Sequence, residues 1–172
     1  MKEHINKKEI IEKLTPLVEN TAMRYNLIPL EISLEKENSY WFLRIFIYST
    51  EHPISHGDCE NITRGLENFL EELIPFKYYL EVSSPGLNRK MKSKREYILF
   101  SGSDVIVKTK TQLEGIEGKT KHAILLEYIE GQGLKLLIKD ENVERIVPED
   151  NIFSIRLDEE LNINQNKGED ND

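Results

Sequence analysis

Residues 80–92 read LEVSSPGLNRKMK. Leu80 and Val82 fall on one side of an alternation and Glu81 and Ser83 on the other, the period of a strand with one buried face. Ser84-Pro85-Gly86 ends it, because proline offers no donor to a sheet ladder and glycine tolerates conformations that turn the chain. Asn88, Arg89, Lys90 and Lys92 follow. A strand that closes one domain is thus expected to pass through a turn into a cationic segment that opens the next.

Charge supports a division there. The chain has 172 residues, room for one ordinary domain or two small ones, and a net charge of -8. That charge is unevenly spread. Residues 1–87 carry -5, residues 88–121 carry +5 and residues 122–172 carry -8. A basic segment inside an acidic chain can present one face to an anion and repel it elsewhere. Hydrophobic residues make up 38% of the chain, enough for a globular core. A single cysteine, Cys59, excludes a disulfide framework and a multi-cysteine zinc site. The charged start MKEHINKKEI does not read as a secretory signal, and the apolar runs are too short to span a bilayer. A reducing, cytoplasmic setting without membrane contact is expected.

Working back from the turn, residues 7–25 place Ile10, Ile11, Leu14, Leu17, Val18, Thr21 and Ala22 on one helical stripe, with Pro16 expected to kink the helix or delay its start. Pro29 to Lys36 alternates, Asn38-Ser39 turns, and Tyr40 to Ser49 is the aromatic and β-branched partner strand. Its second face, with Phe42, Arg44, Phe46 and Tyr48, is expected to be covered by a neighbouring element, although aromatics there could stack bases. Ser55 with Asp58 is an acidic capping box, with Ile54 and Cys59 at the staple positions, and a second helix runs to Pro75. The order is helix, strand, strand, helix, strand.

Beyond the turn, Ser93 and Glu96 form another capping box for a short helix ending at Gly102. Lys94 and Arg95 lie in its first turn, where cations oppose the helix dipole; a ligand would explain them. Five short strands follow, over Asp104–Thr111, Lys121–Glu130, Leu134–Lys139, Val143–Val147 and Phe153–Leu157, with one 3₁₀ turn before the last. Such a series fits a small SH3- or Sm-like barrel. Residues 112–120 read as a long, mobile loop. After Leu161 the chain is polar and acidic and reads as a disordered tail. The expected class is α+β, with domains at 1–90 and 91–160 and a tail at 161–172.

LEVSSPGLNRK, preceded by HGDCENITRGLENFLEE and followed by VERIVPEDNIFSIRL, resembles the bacterial ribosome maturation factor family RimP. The block Glu81 to Leu87 is the specific part; Asp58-Cys59 and Ile146 to Ile152 match weaker family motifs. The sequence departs from the family at Asn88, at Lys90-Met91 and at Leu99. The resemblance implies a KH-like α-β-β-α-β domain followed by an Sm-like barrel. It also implies binding to the immature small ribosomal subunit, beside 16S ribosomal RNA and small-subunit ribosomal protein twelve. No enzymatic activity, metal or cofactor is implied, and a monomer is expected. The family's turn and basic run carry over to Ser83, Ser84, Pro85, Gly86 and Arg89. RNA contact by Lys90, Lys94, Arg95, Lys108 and Lys110 rests on charge alone.

Two other classes compete. A free-standing RNA-binding or RNA-chaperone protein would act through the barrel alone. A hydrolase built on Ser83 or Ser84 would need a base, and no His or Lys is spaced to serve. His56 and Cys59 sit one helical turn apart, but no third residue completes a metal set.

Overall fold

The computed structural model describes residues 6–86 and 89–158. The expected disordered tail lies outside the described residues, as do Leu87 and Asn88. The chain is α+β, and its contacts divide it into two units between Pro85 and Gly86.

The first unit has the order α1 (Lys7–Met23), β1 (Ile28–Glu37), β2 (Tyr40–Tyr48), α2 (His56–Leu73) and β3 (Tyr78–Ser83). The sheet order is β1-β2-β3, with β1 antiparallel and β3 parallel to the central β2. Asn38 and Ser39, at φ 48° and 74°, make the two-residue reversal between β1 and β2. Positive φ at both positions matches the twist of the paired strands. Leu14, Val18 and Ala22 of α1 and Ile62, Leu66 and Leu70 of α2 bury against Leu34, Leu43, Ile45 and Ile47 of the sheet. Both helices therefore share one core with one sheet face.

Pro16 neither delays nor divides α1, which is continuous from an Asn6 cap. The Thr15 hydroxyl donates to the Ile11 carbonyl at 2.7 Å, a side-chain bond within the turn that proline disturbs. The exposed position of Pro16 leaves the buried stripe intact. At α2 both halves of the capping box form: Asp58 N–H donates to Ser55 Oγ at 3.1 Å and Ser55 N–H to Asp58 Oδ2 at 2.9 Å. The backbone donor of Ser55 holds the Asp58 carboxyl below the usual carboxylate range, against the opposing effect of burial. Ile54 and Cys59 pack on the core as the staple requires, and burial pushes the Cys59 thiol up.

The second unit contains α3 (Lys94–Leu99), β4 (Asp104–Thr109), β5 (Thr120–Ile129), β6 (Gly133–Ile138), β7 (Val143–Val147), a 3₁₀ turn (Glu149–Asn151) and β8 (Ile152–Leu157). All five strands stand where the alternation puts them. Their order is β7-β6-β5-β4-β8, all antiparallel, with β7 and β8 at the edges. The sheet is not closed, so the full barrel is not shown. It is nevertheless curled, for a reason of chain length. Five flat strands would hold their edges about 19 Å apart. The connection from Val147 to Ile152 could span about 17 Å only if fully extended, and part of it is a 3₁₀ turn. Edge strands adjacent in sequence thus force the sheet to bend. Gly133, at φ 125°, sits where a Cβ would lie 2.1 Å from the Val147 carbonyl oxygen, so only glycine lets β6 start beside the end of β7.

The 112–120 loop is pinned rather than loose. Ile116 is buried, Ile116 N–H donates to the Leu113 carbonyl at 3.1 Å, and Thr111 bonds Asn151 through backbone and hydroxyl at 2.9 Å. Polar composition concealed one apolar anchor.

Two outcomes test this account. A Cβ on Gly65 would lie 2.5 Å from Cγ2 of Thr21, which is buried between α1 and α2. Alanine improves helix propensity by about 1 kcal/mol, but overpacking costs about 1–3 kcal/mol. Gly65→Ala is therefore expected to lower the urea midpoint; a raised midpoint would show that the helices move apart at little cost. For Asp58, a folded-state pKa below the unfolded one means stabilisation that is present above about pH 4. It is lost as pH falls through the folded value. Asp58→Asn should be less stable than the parent at neutral pH, and the two curves should converge on acidification.

Candidate RNA-facing surface of the second unit

The run after the turn is not a free tether. Arg89 N–H donates to the Gly86 carbonyl at 3.0 Å, Lys90 bridges to Arg156, and Met91 N–H donates to the Ile155 carbonyl at 2.8 Å. Residues 90–91 thus lie along the outer edge of β8, and Met91 is buried. The cationic residues belong to the sheet unit.

Arg89 does not project. Its guanidinium is paired with the Glu96 carboxylate, and the two side chains are only 11% and 3% exposed. Glu96 Oε2 also accepts from the backbone N–H of Lys92 at 2.6 Å and of Ser93 at 3.1 Å, and Ser93 Oγ accepts from Glu96 N–H at 3.3 Å. The second capping box is present, and Arg89 neutralises the buried carboxylate inside it. Lys94 is also engaged. Its ammonium contacts Glu130 at 3.0 Å and lies 5.6 Å from the Tyr128 ring centroid. Hydrogen bonding to Tyr128 and Glu130 holds it above the ordinary lysine range. The dipole cost that suggested a ligand for Lys94 is offset within the protein.

Gly86 does not adopt positive φ, and a Cβ there would meet nothing within 4 Å. Its left-handed freedom is not what the turn uses. Ser83 ends β3 half-buried, Ser84 is exposed and Pro85 is half-buried. Among the described residues no group of His, Cys, Asp and Glu could hold a metal ion. No helix among them is long and apolar enough to cross a membrane.

Arg95, Lys90, Lys108 and Lys110 are exposed, and none pairs with a carboxylate among the described residues. Lys90 and Lys108 converge on Phe153, their ammoniums 5.5 and 5.0 Å from its ring centroid. Sequence reasoning missed this ring. Simple alternation puts Phe153 on the face of buried Ile155, but β8 pairs Ser154 with Lys108 and Ile152 with Thr109. Phe153 is the extra residue of a bulge, left without a partner on β4 and 58% exposed. The proximity of Phe153 to the conspicuous Pro148-Glu149-Asp150-Asn151 turn was the only available signal.

On the first unit, aromatics mark the sheet face opposite the helices. Phe42 stacks on Tyr79 at 5.5 Å, and the Arg44 guanidinium lies 4.9 Å from the Phe42 ring centroid. Arg44 is held by Glu37 at 2.6 Å and by Glu81 at 2.7 Å, spanning all three strands. Glutamates hold Arg44 beside these rings, and the exposed Lys77 ammonium lies 5.7 Å from the Tyr79 ring centroid.

Removing one partner of a buried ion pair strands the other and costs about 3–5 kcal/mol. Glu96→Ala is expected to destabilise the second unit on that scale in urea unfolding. Arg95→Ala, at an exposed site, should stay within about 0.5 kcal/mol. Equal midpoints for the two variants would show that the Arg89–Glu96 pair contributes nothing net.

Residues 17–88 match the family model described as the RimP N-terminal domain. They run from within α1, through all three strands of the first unit, to just past the turn. By this match, the first unit is similar to the N-terminal domain of the RimP family.

Proposed function

We propose that this protein is a ribosome maturation factor that binds the free small (30S) ribosomal subunit during its assembly and catalyses no reaction. The observation that carries this reading is the RimP N-terminal domain match over residues 17–88. On this reading the first unit is a KH-like domain, and the curled sheet of the second is an Sm-like barrel. The protein acts as a cytoplasmic monomer that touches 16S ribosomal RNA and small-subunit ribosomal protein twelve.

The charge distribution supports RNA contact through the second unit. Of the expected residues, Lys90, Arg95, Lys108 and Lys110 keep exposed cationic ends for phosphate. Lys94 would have to leave Glu130 to do so. Arg89 sets the path of the run, and Ser83, Ser84, Pro85 and Gly86 set the exit from the first unit. The cluster at Phe153 also favours a second reading, a free-standing RNA-binding protein or RNA chaperone that uses the sheet unit alone.

Sedimentation of tagged protein with ribosomal fractions separates the two. The maturation factor travels with immature small subunits and is absent from complete ribosomes; the chaperone follows loose RNA. Subunit binding should weaken with salt, by a slope of roughly -0.7 to -0.9 in log K against log salt per phosphate neutralised. Binding that is insensitive to salt would leave contact through protein alone. The double variant Lys90→Glu, Lys108→Glu should lose subunit binding at an unchanged thermal midpoint. Lys8→Glu, on the solvent side of α1, should bind like the parent. Lys139 is no neutral control, because it pairs with buried Asp104.

A further inference from the structure

We infer that Phe153, with Lys90 and Lys108, forms a stacking platform for one unpaired base of single-stranded RNA. This inference rests on the RNA-contact part of the proposed function and gives that contact a chemistry. Phe153, on a bulge, leaves more than half of its surface in solvent. An apolar ring offers an acidic protein surface nothing in particular, whereas every base has a face that stacks on it. Two ammoniums beside the ring supply what a nucleotide needs next, since a stacked base brings its phosphates within reach of flanking cations. Lys110 extends the cationic track where β4 ends, its backbone N–H fixed to the Asn151 carbonyl at 2.8 Å. In the free protein the lysines rest against the ring itself. Such exposed cation–π contacts are weak, so the ammoniums can exchange the ring for phosphate when a base arrives.

A duplex does not fit this platform, because its bases are already stacked on one another. The preference is therefore for single strands, with little dependence on base identity.

The test uses the full chain and a short fluorescent single-stranded RNA, with the same sequence in duplex form and a poly-glutamate peptide as the other arms. Phe153→Leu is expected to bind the single strand about 5- to 160-fold more weakly, the range that loss of one base–aromatic stack spans. Phe153→Trp should retain binding, with tryptophan fluorescence quenched on addition of RNA. Unchanged thermal midpoints should accompany both. Equal binding by Phe153→Leu and the parent would overturn the platform, as would a duplex bound as tightly as the single strand. Poly-glutamate binding with the same dependence on Phe153 would assign the site to an acidic protein surface and overturn it too. Small-subunit sedimentation of the same variants keeps the two readings apart. A parent that rides with subunits while Phe153→Leu binds RNA normally refutes only the platform. A parent that binds single strands through Phe153 but never rides with subunits refutes only the ribosomal reading.

Discussion

The second unit depends on how one carboxylate is buried. Glu96 sits in the first turn of α3 almost without solvent, and a bare charge there would be costly. Two backbone N–H groups and the Arg89 guanidinium make it tolerable. The arrangement joins three tasks in one side chain: it caps α3, folds the run 89–93 back on itself, and fixes where that run meets β8. Once Arg89 is committed, Lys90 and Met91 have little choice of path. Met91 enters the core, and Lys90 emerges beside Phe153.

This changes the meaning of the basic segment. Residues 88–121 carry a net charge of +5, but much of that charge is answered locally. Arg89 meets Glu96, Lys94 meets Glu130, and Lys121 meets Glu141 at 2.8 Å. Exposed ion pairs such as Lys94–Glu130 contribute little stability, yet they do weaken an anion's pull on that lysine. The unanswered cations include Lys90 beside β8, Arg95 on α3, and Lys108 and Lys110 at the end of β4. A tally of charge in sequence gives the sign of a surface; partners in space decide which part of it can act.

The fold was legible wherever a local rule governs. Ser55 with Asp58 and Ser93 with Glu96 announced two helix starts, because a capping box is short-range chemistry. The strands of both sheets followed from alternation. What escaped depends on contacts between distant residues. Nothing near Arg89 says that it faces inward; the reason lies seven residues on, in Glu96. Ile116 looks like one of two apolar residues in a polar loop until a core is there to receive it. The bulge at Phe153 is invisible because β4 sets it from more than forty residues away. Pro16 is the opposite case: the expectation of a late start yielded to a buried stripe that does not include it, and α1 runs through it. The open edges of the second sheet escaped for a related reason, since alternation counts strands but says nothing of which edges bond.

The order of synthesis gives the division at Pro85 a further meaning. Among the described residues, every residue in the core of the first unit or packed on it lies between Ile10 and Val82, and no later strand enters its sheet. A nascent chain has therefore emitted all the apolar surface that this core requires before β4 exists. Domains tend to fold as units in the order they are made. The hairpin β1–β2 needs only local closure, but β3 must wait for the whole of α2 to return parallel to β2. The last strand of the first unit ends at the turn through which the cationic run leaves. Arg89 therefore emerges as that core is being completed, with Glu96 only seven residues behind it.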